Sequence, residues 1–220
     1  MVNIVGRLQS VFPLHQFDVI IGSLLGDARL ECRSVGLRSP ITARFRVHHG
    51  EKQKDYVFWK YEILKDLVSK EPQEISWMNP KRNLYEISWY FHTKSSEDFG
   101  FIHHHFYKNG VKILPDDMFD WFTPQVIAVW FMDDGSNLGE SFTLSTHGFS
   151  YEEQMRMVDF FRSRCAIIPR IIKDRDKFKL AIGKPYREKF LSIVEPFIIP
   201  SMIYKIASPR NDLAVRTAGV

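Results

Sequence analysis

The chain has 220 residues, of which 45% are hydrophobic and 14% aromatic, and its formal net charge is +4. That composition excludes a disordered tail or linker, which cannot supply such a core. The mild positive balance is compatible with a polyanionic partner but does not locate the charges. Cys32 and Cys165 stand far apart and outside any CxxC pair, which argues against a zinc knuckle or a disulfide framework. No apolar run reaches the ~18 residues of a membrane span, and no signal-peptide core is visible at the N-terminus. A soluble intracellular protein without a membrane partner is expected, in an organelle matrix or a bacterial-type cytoplasm.

In chain order, the first element is the apolar segment Phe17-Asp18-Val19-Ile20-Ile21-Gly22-Ser23-Leu24-Leu25-Gly26-Asp27-Ala28. It has helical length and ends abruptly in an acid and a small residue. Extended stretches and a helical pattern over 51–67 follow. Past the middle a second such segment appears, Pro124-Gln125-Val126-Ile127-Ala128-Val129-Trp130-Phe131-Met132-Asp133-Asp134-Gly135-Ser136. It too is followed by extended stretches and a helix, over 150–164, where Ser150 and Glu153 form a capping box. Strands over 167–173 and 178–182 and a helix over 184–194 complete the chain, closed by Pro196 and Pro200. The order helix, two strands, helix, two strands, helix therefore occurs twice, dividing the chain into 1–115 and 116–220. Mixed strands and helices without strict alternation predict an α+β fold with antiparallel sheets.

The strand patterns separate a dry face from a wet one. Phe45 and Val47 alternate with Arg44, Arg46 and His48; Tyr85, Ile87, Trp89 and Phe91 alternate with Glu86, Ser88, Tyr90 and His92. In the second half Phe142 and Leu144 alternate with Thr143, Ser145 and His147, and Phe178, Leu180 and Ile182 with Lys177 and Lys179. Wet faces rich in Arg, Lys, His, Ser and Thr suit phosphates and base edges. Arg33, Arg38, Lys81, Arg82 and Lys173 are expected on the same face.

Gly22 and Gly26 are four apart, share one helix face and suit close approach of a second helix. Asp27, Asp133 and Asp134 fall at helix C-termini, the pole where carboxylates are disfavoured. If the two helices pack side by side, Asp27 and Asp134 come together as oxygen ligands for a hard cation. Trp59, Trp77, Trp89, Trp121 and Trp130 read as core, as do Phe160 and Phe161. His103, His104 and His105 point in different directions on a helix and do not read as a metal site.

At Ile20–Ala28 and Ile127–Gly135 the chain resembles the two copies of the LAGLIDADG motif. Trp130-Phe131-Met132-Asp133-Asp134-Gly135 and Ile199-Pro200-Ser201-Met202-Ile203-Tyr204-Lys205 resemble the single-chain, two-motif homing endonucleases of the mitochondrial-intron type. The resemblance implies two pseudo-symmetric αββαββα halves, saddle-shaped sheets in the DNA major groove and motif helices at the interface. It implies that Asp27 and Asp134 bind catalytic Mg²⁺, while Asp133 is not expected to ligate by its side chain. Mn²⁺ is expected to substitute, and Ca²⁺ to bind without supporting cleavage. By position in the repeat, Lys112 and Lys205 are the basic residues beside each metal. The implied function is a metal-dependent double-strand break in a long asymmetric DNA target, made by a monomer. Two alternatives on the same fold are an intron RNA maturase and a catalytically silent DNA-binding regulator. Intact Asp27 and Asp134 favour cleavage.

Overall fold

The computed structural model describes residues 4–32 and 41–207. After a short helix α1 (Ile4–Val11), the first half runs α2 (Leu14–Leu25), β1 (Arg29–Glu31), β2 (Arg44–Gly50), α3 (Lys54–Leu64), β3 (Gln73–Asn79), β4 (Leu84–His92), α4 (Glu97–Phe106). A small hairpin, β5 (Tyr107–Lys108) and β6 (Val111–Lys112), leads to the second half. That half runs α5 (Pro124–Asp134), β7 (Gly135–Asn137), β8 (Phe142–Leu144), α6 (Tyr151–Cys165), β9 (Arg170–Asp174), β10 (Lys177–Ile182), α7 (Arg187–Val194).

The two sheets have the same antiparallel order, β1-β2-β4-β3 and β7-β8-β10-β9. The protein is thus two αββαββα halves, with α2 and α5 packed against each other between them. Both helices are buried along nearly their whole length, as apolar segments on every side must be. Each starts where the chain supplies a stop for extended backbone. Pro13 precedes α2, and Thr123 caps α5 by accepting a hydrogen bond from Val126 N at 3.1 Å, with Pro124 in the first turn.

Their approach is too close for side chains on α2. A Cβ at Gly22 would lie 2.6 Å from Val129 Cβ, and one at Gly26 would lie 2.5 Å from Asp133 Cβ. Glycine carries a helix propensity cost of about 1 kcal/mol here, which the backbone contact offsets.

Local boundaries differ from the sequence expectations where turns tighten. The 51–67 pattern is an α-helix flanked by 3-10 turns, Glu51–Gln53 and Lys65–Leu67. The strand expected from residue 167 begins at Arg170, because Ala166 takes a left-handed conformation and turns the chain after α6. The last helix opens with a 3-10 turn, Lys184–Tyr186, that contains Pro185. The capping box on α6 forms, with Glu153 N donating to Ser150 Oγ and Ser150 N to the Glu153 carboxylate.

Trp121, Trp130 and Phe161 are fully buried and Phe160 nearly so. Trp59 and Trp89 are half-buried, and Trp77 is a correction: it is 44% exposed. The register places it opposite Glu86, on the face that carries Ser88 and Tyr90. Tyr85 and Ile87 on the other face are also exposed, so the outer part of the β3–β4 hairpin is bare on both sides. The triple histidine holds no common site. His103 stacks on Tyr107 at 4.5 Å, and the His105 ring meets the Phe101 carbonyl at 2.8 Å.

Candidate active site and nucleic-acid interface

The two motif helices deliver their acids by the same local route. α2 ends at Leu25, Gly26 N donates to Gly22 O at 3.3 Å, and Asp27 leads into β1. α5 ends at Asp134, and Gly135 opens β7. The acids therefore sit where helix becomes strand, at the base of both wet sheet faces.

Lys112 and Lys205 are held in matching ways. Lys112 Nζ donates to the carbonyls before and after Asp27, Gly26 O at 3.1 Å and Ala28 O at 2.8 Å. Lys205 Nζ donates to the carbonyls before and after Asp134, Asp133 O at 3.4 Å and Gly135 O at 2.7 Å. Lys112 reaches its place from β6, and Lys205 from a 3-10 segment, Pro200–Lys205, at the end of its half. Each ammonium thereby satisfies free carbonyls at the negative end of a motif helix.

The electrostatics of the centre are those of crowded carboxylates. Burial, then the charges of Asp27 and Asp133, push the Asp134 carboxyl up to about 8 despite the lysines. Burial and the neighbouring Asp133 raise Asp27 as well. Burial lowers Lys112 and Lys205, partly opposed by the three aspartates. A bound cation removes the repulsion that raises the acids, and carboxylate oxygens are the donors a hard divalent ion takes. Asp27 and Asp134 thus fit such an ion.

Asp133 is committed elsewhere. One carboxylate oxygen accepts from Lys60 Nζ at 2.7 Å, with both side chains fully buried. The other accepts from Asp27 N at 3.3 Å. His49 lies between the acids, with Nδ1 at 3.5 Å from Asp27 and Nε2 at 3.8 Å from Asp133. Asp27, His49 and Asp133 would bring three ligand atoms within 4.8 Å of one another. The Lys60 ammonium already occupies Asp133, however, and lies 3.3 Å from His49 Nε2. Burial and Lys60 hold the His49 ring neutral, down at about 4.

Among the basic residues expected on the wet faces, Arg44 and Arg46 join Arg29 around Glu31, at 2.7 to 3.0 Å. Burial opposes ionisation of Glu31, but the guanidinium groups outweigh it and hold the carboxyl at about 2. His48 shares that face, its Nε2 at 2.9 Å from Ser88 Oγ. Lys81 and Arg82 lie at the exposed turn between β3 and β4. In the second half Lys179 and His147 meet Asp174 at 2.8 and 3.2 Å, and Lys177 is exposed beside them. A recess of ≈ 250 Å³ beside Asp27 is lined by Arg29, Arg46, His48, His49, Gly50 and Gln53.

Three expectations need correction. Thr143 is buried rather than wet, on the short strand β8 between Ser136 of β7 and Ala181 of β10. Ser88 is buried too, against His48. Lys173 pairs with Phe178, whose ring packs on Tyr151 of α6, so it points to the helix side of the sheet and away from Lys177 and Lys179. Ser145 is half-buried, its N–H donating to Asp134 O at 3.1 Å. Arg33 and Arg38 lie outside the described residues.

His49, Lys60, Arg29 and Glu31 were not anticipated. Two signals were present. His49 follows His48, so strict alternation turns it to the dry side beneath Asp27. Lys60 falls within the buried stripe Tyr56, Val57, Tyr61, Leu64 of α3, where a charge requires a partner.

Residues 17–190 match the family described as the LAGLIDADG DNA endonuclease family. The chain is 29% identical over 210 residues to DNA endonuclease I-ChuI of Chlamydomonas applanata, covering 88% of this chain and 94% of that one. It is 25% identical over 202 residues to the cytochrome b mRNA maturase bI2 of Debaryomyces hansenii, covering 88% and 74%. Its fold is similar to that of the homing endonuclease I-WcaI bound to its DNA recognition sequence, with a TM-score of 0.81, 22% identity, and coverage of 93% and 92%. With the family match spanning most of the chain and the acid-ended helices paired at its centre, this protein belongs to the LAGLIDADG DNA endonuclease family.

Proposed function

We propose that this protein is a site-specific homing endonuclease that makes a Mg²⁺-dependent double-strand break in a long, asymmetric DNA target. The observation that carries the reading is the paired helix ends, where Asp27 and Asp134 each stand beside a lysine that donates to the carbonyls on either side. Similarity to I-ChuI over most of both chains supports it.

In this reading Asp27 and Asp134 hold the divalent ions, and Mn²⁺ takes their place. Bound metal supplies a more acidic water and neutralises charge at the scissile phosphate. Lys112 and Lys205 orient water and offset the charge that grows on the phosphoryl oxygens, one lysine to each strand. Asp133 carries no ion; its two oxygens serve Lys60 and the Asp27 amide.

The protein acts as a monomer, and residues 1–115 and 116–220 each take one half of the target. Arg44, Arg46 and His48 contact one half-site, and Lys177, Lys179 and His147 the other. Lys81 and Arg82 reach the backbone from the hairpin tip. The acidic partners Glu31 and Asp174 give up these cations to phosphates or base edges as DNA docks.

The test is incubation with a randomised double-stranded DNA library in Mg²⁺, with Ca²⁺ as the binding-only control and sequencing of the cut ends. Discrete Mg²⁺-dependent breaks at one long site are expected. Asp27→Asn and Asp134→Asn should each stop cutting of at least one strand while leaving DNA affinity within a few-fold. A double Asn variant that still makes double-strand breaks overturns the assignment. A second reading, assistance to splicing of an intron RNA, is favoured by similarity to the maturase bI2. It predicts tight binding to structured intron RNA, with the same Asp substitutions leaving that binding untouched. On either reading the site of action is an organelle matrix or a bacterial-type cytoplasm. No helix among the described residues is long and apolar enough to cross a membrane.

A further inference from the structure

The centre departs from its two-fold pattern at one place. Arg46 of β2 lies opposite Arg29 of β1, and Thr143 of β8 opposite Ser136 of β7, so these positions correspond. Lys60 lies 60 − 46 = 14 residues beyond Arg46, and Met157 lies 157 − 143 = 14 beyond Thr143. Both side chains are fully buried, one in α3 and one in α6. They hold matching places in their halves, but one ends in an ammonium and the other in a thioether. The residues before the two metal acids differ in the same sense, Asp133 before Asp134 and Gly26 before Asp27. The charged residue of each pair sits in contact with the other: Lys60 Nζ is 2.7 Å from the Asp133 carboxylate.

The one-sidedness is sterically required. A Cβ on Gly26 would lie 2.5 Å from Asp133 Cβ and 2.7 Å from its Oδ2. Only one of the two positions can carry a side chain, so one half alone can own such a pair. Its effect is also one-sided. The oxygen of Asp133 not held by Lys60 accepts from the backbone N–H of Asp27 at 3.3 Å. Gly26 offers no side-chain acceptor to Asp134. His49 reinforces the bias, since it contacts Asp27 at 3.5 Å while the corresponding residue, three beyond Thr143 as His49 is three beyond Arg46, is Thr146, which bonds Gln154.

We propose that Lys60 is a positioning residue for the Asp27 centre alone, acting through Asp133, so that the two strands of a target are cut by centres of unequal construction. The proposal rests on the reading of Asp27 and Asp134 as the metal acids. Lys60 does not touch DNA or water at the reacting phosphate. It fixes the Asp133 carboxylate, which fixes the backbone at Asp27.

The test is cleavage by the full chain of its mapped target, once in a supercoiled plasmid and once in a linear duplex with each strand end-labelled. Lys60→Met leaves a buried carboxylate without its cation and is expected to lower Tm sharply. Lys60→Met/Asp133→Gly removes both charges, installs the residue types found at the corresponding positions, Met157 and Gly26, and keeps the proposal testable if the single variant does not fold. The double variant should bind target DNA like the parent yet slow one strand on the order of tenfold to a hundredfold more than the other, so that nicked circles accumulate. Lys60→Arg, which keeps the charge, should restore the parental strand ratio. Equal slowing of both strands, or cutting at the parental rate and ratio, overturns the proposal. Asp27→Asn run beside it separates the two readings. If that variant cuts both strands at the parental rate, the metal-acid reading fails. If it blocks cutting while the double variant slows both strands alike, only the role of Lys60 fails.

Discussion

The two sheets share a strand order but not a chemistry. On the first, Arg29, Arg44 and Arg46 gather around one glutamate, and a long hairpin carries Trp77 and Tyr85 out into solvent. On the second, the corresponding strands bury Thr143; Lys177, Lys179 and His147 gather around Asp174 near the β9–β10 turn, and Arg170 stands on the same face opposite Ala181. At the junction of the halves the pattern reverses, and the lysine contacts of Lys112 and Lys205 repeat carbonyl for carbonyl. Chemistry on two equivalent phosphates needs the same groups twice, whereas reading an asymmetric sequence needs different side chains on each sheet. Symmetry is kept in the paired lysine contacts, is broken beside them only by the Lys60–Asp133 pair and His49, and gives way along the sheets.

The largest effect is expected from the two lysines. Lys112→Met and Lys205→Met should each lower cleavage of one strand by about 10²–10³, the usual effect of removing a group that stabilises transition-state charge. The two variants should leave opposite strands uncut. Strand-specific gels on a mapped target decide it: if both variants stall the same strand, the matched geometry does not correspond to matched roles.

Next in size is the helix contact that brings the halves together. Gly22→Val places carbon 2.6 Å from Val129 Cβ and 2.7 Å from Val126 O, one of which is backbone and does not yield easily. A drop of about 1–3 kcal/mol, or more where the helices separate, is expected in denaturant melts. Gly148→Ala is the matched control, since a Cβ there meets nothing within 4 Å. Equal effects from both would mean that the α2–α5 approach is not held this tightly in solution.

Metal and pH should act together at the same junction. Asp134 is raised from 3.8 to about 8 by burial and by the charges of Asp27 and Asp133. An acid raised on folding contributes stability fully present below its unfolded value and lost as pH rises through its folded one. Metal-free protein carries that loss progressively from near 3.8 up to about 8. A divalent ion must displace the proton, so its grip strengthens over the same range. The Tm gain from saturating Ca²⁺ should therefore be larger at about pH 8.5 than at about pH 6.5, and Asp134→Asn should flatten the difference. A gain independent of pH would place the ion elsewhere.

How much of this was legible follows from the kind of signal each residue leaves. The repeat, the acid-ended helices and the wet strands of the first half depend on local periodicity, which a sequence displays directly. The small-residue face of α2 was visible for the same reason, though not that it meets Val129 and Asp133. Lys60 and His49 were missed because their meaning depends on a contact between halves, more than seventy residues apart for Lys60 and Asp133. The ring of arginines around Glu31 was half-seen: Arg44 and Arg46 alternate visibly, but Arg29 and Glu31 join them only through the β1–β2 register. Trp77 was misjudged because a tryptophan is usually covered, and nothing in its neighbours says that the hairpin outruns its cover.

The smallest expected effect separates the two faces of the second sheet. Lys177 and Lys173 are both exposed lysines at the same end of neighbouring strands, and sequence alternation alone groups them together. The register separates them: Lys177 stands opposite Asp174, and Lys173 opposite Phe178, whose ring lies on α6. Cross-strand partners share a face, so only Lys177 points the way of Lys179 and His147. Removing one lysine–phosphate interaction lowers the slope of log affinity against log salt by about one. Lys177→Ala should do so and weaken binding uniformly across target variants, whereas Lys173→Ala should leave both slope and affinity as they were. If the two lysines behave alike, then either DNA wraps around the edge of the sheet to the α6 side, or binding does not use this sheet, and the difference between the halves would have to be sought in the first sheet alone.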